Sequence, residues 1–210
     1  MFNINNLIIT IPAILYALTI HEFFHGWVAN RCGDPTARLQ GRLTLNPLAH
    51  IDIMGALCFV FAGFGWGKPV PINPNNFRTP RRDNMIVSFA GPASNFISAF
   101  LFGMAFQLLR NIPLPSNLSM MIFNLLITVI VVNLSLAFFN MIPIFPLDGS
   151  HILEGLLPYR LSVRYKEIER YGPFILLGLI VMGNFTGVSI LSLVLGPPIK
   201  YFLRLFSGLS

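Results

Sequence analysis

The stretch LIITIPAILYALTIHEFFHGWVAN, residues 7–30, decides the fold class of this chain. It is almost entirely apolar, and its one formally charged residue is Glu22. At a helical rise of about 1.5 Å per residue, such a stretch is long enough to cross a bilayer. A charged side chain at membrane depth is costly and usually serves a function. The stretch therefore predicts a membrane-spanning helix that carries a functional site.

The composition of the whole chain is typical of an integral membrane protein. Hydrophobic residues make up 54% of its 210 residues, and charged residues make up only 10%. The net charge of +6 comes without a basic patch interleaved with aromatic residues, so nucleic acid is not an expected partner. The two cysteines, Cys32 and Cys58, are too few for a disulfide framework and lack the spacing of a zinc pair. The first apolar stretch is too long for the apolar region of a signal peptide. We therefore interpret it as part of the mature protein and not as a cleaved signal.

Four charge-free stretches are long enough to span a membrane. They are residues 7–20, continuing through the two histidines, then 84–109, 111–147 and 171–199. Proline residues at both ends of the third stretch should confine its helix to about 119–142. The short, glycine-rich run 53–67 is interpreted as a re-entrant or tilted short helix, and 171–199 as one broken span or a tight hairpin. We therefore expect an α-helical polytopic membrane protein, a bundle of about four to six transmembrane helices.

Lysine and arginine residues indicate how these helices are oriented, because they favour the cytoplasmic side of a membrane. Seven of them lie between Arg31 and Asp83, whereas no charged residue precedes Leu7. The first span is therefore predicted to run from outside to inside, which places the histidines near the cytoplasmic side. The later spans then alternate in direction across the membrane, provided that residues 53–67 do not cross it completely.

Residues 37–46, ARLQGRLTLN, alternate strictly between apolar and polar side chains. A period of two predicts a β-strand. We therefore expect a small membrane-associated β-hairpin or sheet in this segment. Two interpretations remain open: an amphipathic hairpin that lies on the membrane, or an edge strand that pairs with an extended peptide.

The histidines of the first span indicate a metal site. His21 and His25 are four positions apart, so on a helix both imidazoles project from one face and can bind one ion. Glu22 lies beside them, where a carboxylate can take a proton from a metal-bound water. This is the H-E-x-x-H arrangement of zinc peptidases. The alternative is that both histidines are hydrogen-bonded residues inside a bundle, where each would need polar partners.

A catalytic zinc site normally has three protein ligands and keeps one position for water. The candidates for the third ligand are His50, Asp52, Asp148, His151 and Glu154. Asp148 is favoured, because the third span also runs from outside to inside and brings Asp148 to the level of His25. The span 84–109 starts from the same side and places residues 91–95, GPASN, at a similar depth. Gly149 permits a backbone turn that would direct Asp148 toward the site.

Two asparagines in the predicted spans, Asn95 and Asn140, can donate amide hydrogens without bringing charge into the membrane. Such donors suit a developing oxyanion or a substrate carbonyl. Each can equally form a hydrogen bond between packed helices. Both interpretations remain open.

Three motifs together resemble the site-2 protease family of intramembrane zinc metallopeptidases, peptidase family M50. They are HEFFH at 21–25 in an early span, GPASN at 91–95 in a middle one, and NMIPIFPLDG at 140–149 after a later one. Their order and membrane setting resemble the family over roughly residues 7–154. The chain resembles a compact form, without room for a PDZ insert between the spans or a nucleotide-sensing CBS domain after them.

The resemblance implies a role for each candidate residue. It implies that one Zn²⁺ per chain binds to His21, His25 and Asp148, that Glu22 is the catalytic base, and that Asn140 and Asn95 help to hold substrate or transition state. It also implies a core of three helices with a membrane-associated sheet. The implied substrates are transmembrane proteins or peptides, which are cut within or near their membrane segments.

We therefore expect one integral membrane metallopeptidase domain over residues 1–210, in the lipid bilayer of a prokaryotic cell membrane. Its catalytic core covers about 7–154 and its C-terminal helices about 159–207. A non-catalytic metal-binding scaffold or transporter is the alternative, but a simple ion site does not need Glu22 beside it. A metallopeptidase for soluble or lipidated peptides is a second alternative.

Overall fold

A computed structural model describes residues 4–62, 65–113, 115–186 and 189–209 of the chain. Most of the described residues are helical. The α-helices are α1 (Ile4–Cys32), α2 (Thr36–Leu39), α3 (Ile53–Ala62), α4 (Pro80–Leu109), α5 (Ser116–Asn140), α6 (Asp148–Leu156), α7 (Tyr159–Lys166), α8 (Gly172–Thr186) and α9 (Ile190–Ser207). Short 3-10 turns cover Pro47–His50, Pro74–Asn76 and Glu169–Tyr171.

Four of the described helices are long and apolar enough to cross a membrane, which fits the predicted helical membrane protein. These segments are Leu7–Cys32, Pro80–Leu109, Ser116–Asn140 and Ile190–Ser207. The first three agree with the predicted spans, and α5 agrees with the predicted helix to within three residues. The predicted stretch 171–199 is divided between α8 and α9, and residues 187–188 of its glycine-containing break lie outside the described residues. The ten-residue α3 is too short to span.

Helix α4 lies at the centre of the bundle, where it packs against α1, α5, α6 and α9. The side of α1 that faces its neighbours is lined by the buried alanines Ala13, Ala17 and Ala29. Small residues of this kind let membrane helices approach closely, because dispersion contacts rather than hydrophobic burial hold them together. This close approach brings polar groups of α1 and α4 into direct contact.

The predicted β-hairpin at residues 37–46 is wrong. Residues Thr36–Leu39 form α2, and the residues after them form turns. Within the described residues there is no β-strand, and the one β-type pairing is an isolated bridge between Ile51 and Gly67. The chain reverses at Gly41, whose φ of 65° lies in the left-handed region, and the backbone N–H groups of Arg42 and Leu43 both donate to the carbonyl of Ala37.

One polar side chain of this segment, that of Arg42, binds a neighbouring loop instead of lining one face of a strand. Arg42 donates to the carbonyls of Lys68 and Pro69 at 3.0 and 3.3 Å. Just before the segment, the buried Asp34 carboxylate accepts from the backbone of Asn73 and from the side chain of Asn76. Burial tends to raise the pKa of Asp34, but these hydrogen bonds hold it below its ordinary value. Tertiary hydrogen bonds thus override the two-residue alternation.

Candidate metal centre

Three side chains from two helices converge between α1, α4 and α6. His21 and His25 project from one face of α1, and their Nε2 atoms lie 3.0 Å apart. Oδ2 of Asp148 lies 3.1 Å from Nε2 of His21 and 3.3 Å from Nε2 of His25. Among the described residues, these are the one group of three or more His, Cys, Asp or Glu side chains whose ligand atoms all lie within 4.8 Å of one another.

The turn between α5 and α6 places Asp148 in this cluster. Helix α5 ends at Asn140, and Pro143 and Pro146 prevent a regular helix from continuing. A new helix then begins at Asp148. Gly149 does not use a left-handed backbone conformation, but a Cβ at this position would lie 2.3 Å from the carbonyl oxygen of Met141. The glycine is therefore needed because the chain folds back closely on itself.

Both imidazoles are oriented through their Nδ1 atoms. Nδ1 of His25 lies 2.7 Å from the carbonyl oxygen of Val87. Nδ1 of His21 lies 2.6 Å from Oδ1 of Asn95. Since both partners are hydrogen-bond acceptors, each Nδ1 carries a hydrogen, and Nε2 is the nitrogen of each ring that can offer a lone pair to a metal. Pro92 lacks the N–H that would donate to Ser88, so the helical hydrogen bonding of α4 is interrupted close to Val87.

This arrangement fits a bound cation. Two Nε2 lone pairs face each other at 3.0 Å, which is unfavourable unless a positive charge lies between them. Oδ2 of Asp148 is buried and has no hydrogen-bond partner among the described residues. Two imidazole nitrogens and one carboxylate oxygen form a ligand set of catalytic zinc sites.

Glu22 lies on α1 between the two histidines and outside the ligand cluster. Its half-buried carboxylate accepts a hydrogen bond from the backbone N–H of Val70 at 2.8 Å. Val70 stands between Pro69 and Pro71, which carry no N–H of their own. A carboxylate held beside the cluster in this way can act as a base toward a water molecule there.

The two predicted asparagines, Asn95 and Asn140, make different hydrogen bonds. Asn95 Nδ2 donates to the carbonyl of Ala17 and to Oδ1 of Asn133, both at 2.9 Å, so both of its amide hydrogens are used inside the bundle. Asn140 donates to the carbonyl of Leu136 on its own helix, at 3.0 Å. Among the described contacts, Asn140 has no hydrogen bond to the ligand cluster. The structure thus brings Asn95 to His21, and a contact of either asparagine with substrate stays a prediction.

The other candidates for a third ligand lie outside the cluster of His21, His25 and Asp148. His50 is buried and hydrogen-bonded to the carbonyl of Thr44 at 2.9 Å. Asp52 accepts from the backbone N–H of Gly55 at the start of α3. His151 and Glu154 lie 3.8 Å from each other on α6. His50 and Asp52 thus have hydrogen-bond partners of their own, and Glu154 pairs with Lys166 at 3.3 Å, whereas Nδ1 of His151 has no hydrogen-bond partner among the described residues.

Sequence reasoning missed the role of Gly91. A Cβ on Gly91 would lie 2.3 Å from Nε2 of His25 and 2.8 Å from Cε1 of His21. Helix α4 therefore meets the two imidazoles at a point where only a hydrogen fits. The GPASN motif drew attention to this segment, but one sequence does not show which side chain faces a glycine.

We expect Gly91→Ala to weaken zinc binding by about tenfold or more, because the added methyl group displaces the ligand imidazoles. Competition of the purified protein with a zinc chelator measures this affinity. Gly178→Ala is the matched control, since a Cβ there has nothing within 4 Å. Equal affinities of the Gly91→Ala protein and the wild type would show that the imidazoles do not need this space.

Apolar helices that enclose two histidines and an aspartate beside a glutamate define the class of membrane-embedded metallopeptidases. The model of Peptidase family M50 matches residues 111–182. "Putative zinc metalloprotease YwhC" of Bacillus subtilis (strain 168) is 36% identical over 200 residues, which cover 93% of this chain and 91% of that protein. The chain belongs to peptidase family M50, the site-2 protease family.

More distant relatives match about half of the chain. "Putative zinc metalloprotease Rip2" of Mycolicibacterium smegmatis is 35% identical over 99 residues, 45% of this chain and 38% of that protein. The protein of the same name from Mycobacterium tuberculosis (strain H37Rv) is 33% identical over 108 residues, 49% of this chain and 41% of that protein. No solved structure matches the chain.

Proposed function

We propose that this protein is an intramembrane zinc metalloendopeptidase that hydrolyses peptide bonds within or near the transmembrane segments of other proteins. The observation that carries the proposal is the convergence of His21, His25 and Asp148 beside Glu22, inside a bundle of apolar helices. Membership of peptidase family M50 supports the peptidase chemistry. The printed names of the relatives support zinc as the metal.

The roles of the residues follow from their positions. His21, His25 and Asp148 would hold the zinc ion, which would serve as a Lewis acid toward the attacking water and the scissile carbonyl. Glu22 takes a proton from the attacking water and gives it to the leaving amine nitrogen as the C–N bond breaks. The N–H of Val70 holds one oxygen of the Glu22 carboxylate in place.

The two asparagines receive different roles in this proposal. Asn140 has a second amide hydrogen beyond the one donated to Leu136, and it is offered to a substrate carbonyl or to the developing oxyanion. Asn95 acts on His21, because its amide hydrogens are already used within the bundle.

We further propose that the N-terminus lies outside the cell and that the metal centre lies toward the cytoplasmic side of a prokaryotic membrane. The concentration of lysine and arginine between Arg31 and Asp83 supports this orientation. The three ligands lie among helices that are apolar enough to cross a membrane. The proposed substrate is therefore a protein or peptide that itself resides in the bilayer.

Metal removal tests this function. We expect the detergent-solubilised wild-type protein to bind about one zinc per chain and to cut a model transmembrane substrate, since three ligands and one water complete a catalytic site. A chelator should abolish cleavage, and added zinc should restore it. A protein that binds zinc but cuts no member of a broad panel of transmembrane substrates would favour a metal-binding scaffold or transporter.

A further inference from the structure

A buried path of amide side chains connects the middle of α5 with the metal centre. Asn133 of α5 and Asn95 of α4 both have 0% of their surface exposed. Nδ2 of Asn133 donates to the carbonyl of Val129 at 2.8 Å, and its Oδ1 accepts from Asn95 at 2.9 Å. Asn95 in turn meets Nδ1 of His21 at 2.6 Å. Two asparagines thus link a backbone carbonyl of α5 to a proposed metal ligand.

These contacts fix which way each amide points. A carbonyl oxygen only accepts hydrogen bonds, so the carbonyl of Val129 requires Nδ2 of Asn133, and the carbonyl of Ala17 requires Nδ2 of Asn95. Oδ1 of Asn95 is therefore the atom that faces His21. Because this oxygen is an acceptor, Nδ1 of His21 carries the ring hydrogen, and Nε2 keeps the lone pair that a metal ligand needs.

We propose that Asn133 is a positioning residue of the metal centre, which locks the amide of Asn95 and thereby sets the tautomer and ring orientation of His21. The inference rests on the proposed zinc site. Without Oδ1 of Asn133, one amide hydrogen of Asn95 has no acceptor there. Only the carbonyl of Ala17 then holds the amide, which rotates more easily than in the wild type, and a rotated amide turns a hydrogen toward Nδ1 of His21. That contact favours the tautomer whose hydrogen lies on Nε2, where it blocks metal binding.

The surroundings of Asn133 argue for more than helix packing. Its neighbours Ile130 and Leu134 are fully buried and belong to the apolar core shared by α4, α5 and α9. An apolar residue at 133 could extend that core without the cost of burying an amide. The polar side chain is explained by the hydrogen bond that it accepts from Asn95.

The experiment compares three substitutions on α5 in the full chain. Asn133→Leu removes the acceptor at similar volume, and we expect about tenfold weaker zinc binding in chelator competition. Asn133→Asp is kept protonated by its full burial, so it accepts from Asn95 and donates to the carbonyl of Val129 as the amide does, and its affinity should stay within about threefold of wild type. Asn124→Leu, the same change at an exposed position of α5, should leave the affinity unchanged.

A second measurement reads the His21 ring in the metal-free protein. Histidine ring ¹⁵N shifts distinguish the two tautomers, and the His21 signals are assigned by their loss in His21→Asn. We expect a hydrogen on Nδ1 of His21 in wild type and in Asn133→Asp, whether or not Nε2 also carries the proton that separates the two facing rings, and a fraction of rings without the Nδ1 hydrogen in Asn133→Leu. A merely structural role of Asn133 would not change this tautomer.

Several results would overturn the proposal. An unchanged affinity and tautomer in Asn133→Leu would do so, and so would equal losses in Asn133→Leu and Asn133→Asp. If the leucine variant does not fold, Asn133→Ala takes its place. A wild-type His21 ring without a hydrogen on Nδ1 would also overturn the proposal. Because the ring measurement needs no metal, a wild-type chain that binds no zinc would contradict the proposed function, while the tautomer still decides the role of Asn133.

Discussion

Glu22→Gln is expected to lower the rate of peptide cleavage by about a thousandfold or more, because general acid-base catalysis contributes factors of this size. Glutamine cannot take a proton from water. Its amide oxygen can still accept the hydrogen bond from Val70, so the local structure should be kept. The initial rate of cleavage of a model transmembrane substrate and the zinc content of the same preparation measure the two effects separately.

Glu167→Gln is the matched control for this variant. Glu167 is an exposed glutamate just after α7, and the same substitution there should change neither zinc content nor cleavage. Glu22→Gln with wild-type turnover would assign the base to another group. Loss of zinc together with turnover would mean that Glu22 holds the metal site together rather than accepting the proton.

The sequence predicts the helical parts of the fold well, because hydropathy over about 20 residues is a direct consequence of bilayer thickness. The span through His21 and His25, the helix that ends near Asn140 and the proline-containing turn before Asp148 are examples. The proximity of Asp148 to the histidines also followed from the direction of two spans. In each case the signal is carried by a whole segment and does not depend on single tertiary contacts.

The β-hairpin predicted at residues 37–46 was wrong because that prediction depended on a local pattern, whereas single tertiary contacts decide the structure there. Alternation of apolar and polar residues is expected for a strand, but a short helix followed by turns can have the same sequence pattern. Here the backbone turns at Gly41, and Arg42 binds carbonyls 26 and 27 positions away. Such long-range partners cannot be read from one sequence, so the local pattern was misleading.

The roles of Gly91 and Asn133 could not be predicted for a related reason. Gly91 is required by imidazoles of another helix, and Asn133 acts through an asparagine 38 positions away. A signal for Asn133 was nevertheless present, because a polar side chain inside a charge-free span is costly and needs a partner. The sequence indicated that such a partner must exist, and the structure identifies it as Asn95.

Asp148→Ala should remove metal and activity together. The substitution takes away one of three ligands and the negative charge that offsets a divalent cation, so zinc affinity should fall by at least about a hundredfold. It also leaves Nε2 of His21 and Nε2 of His25 facing each other at 3.0 Å without an anion nearby. Zinc content after gel filtration and cleavage of the transmembrane substrate are the two measurements.

Asp52→Ala provides the matched control, because Asp52 is also an aspartate at the start of a helix. It accepts a hydrogen bond from the N–H of Gly55, and losing this cap should cost about 1 kcal/mol of stability without affecting zinc. An Asp148→Ala protein that kept zinc and turnover would show that another side chain completes the site. The first to test would then be His151, which lies three residues further along α6, because the side chain of His50 is held by the carbonyl of Thr44.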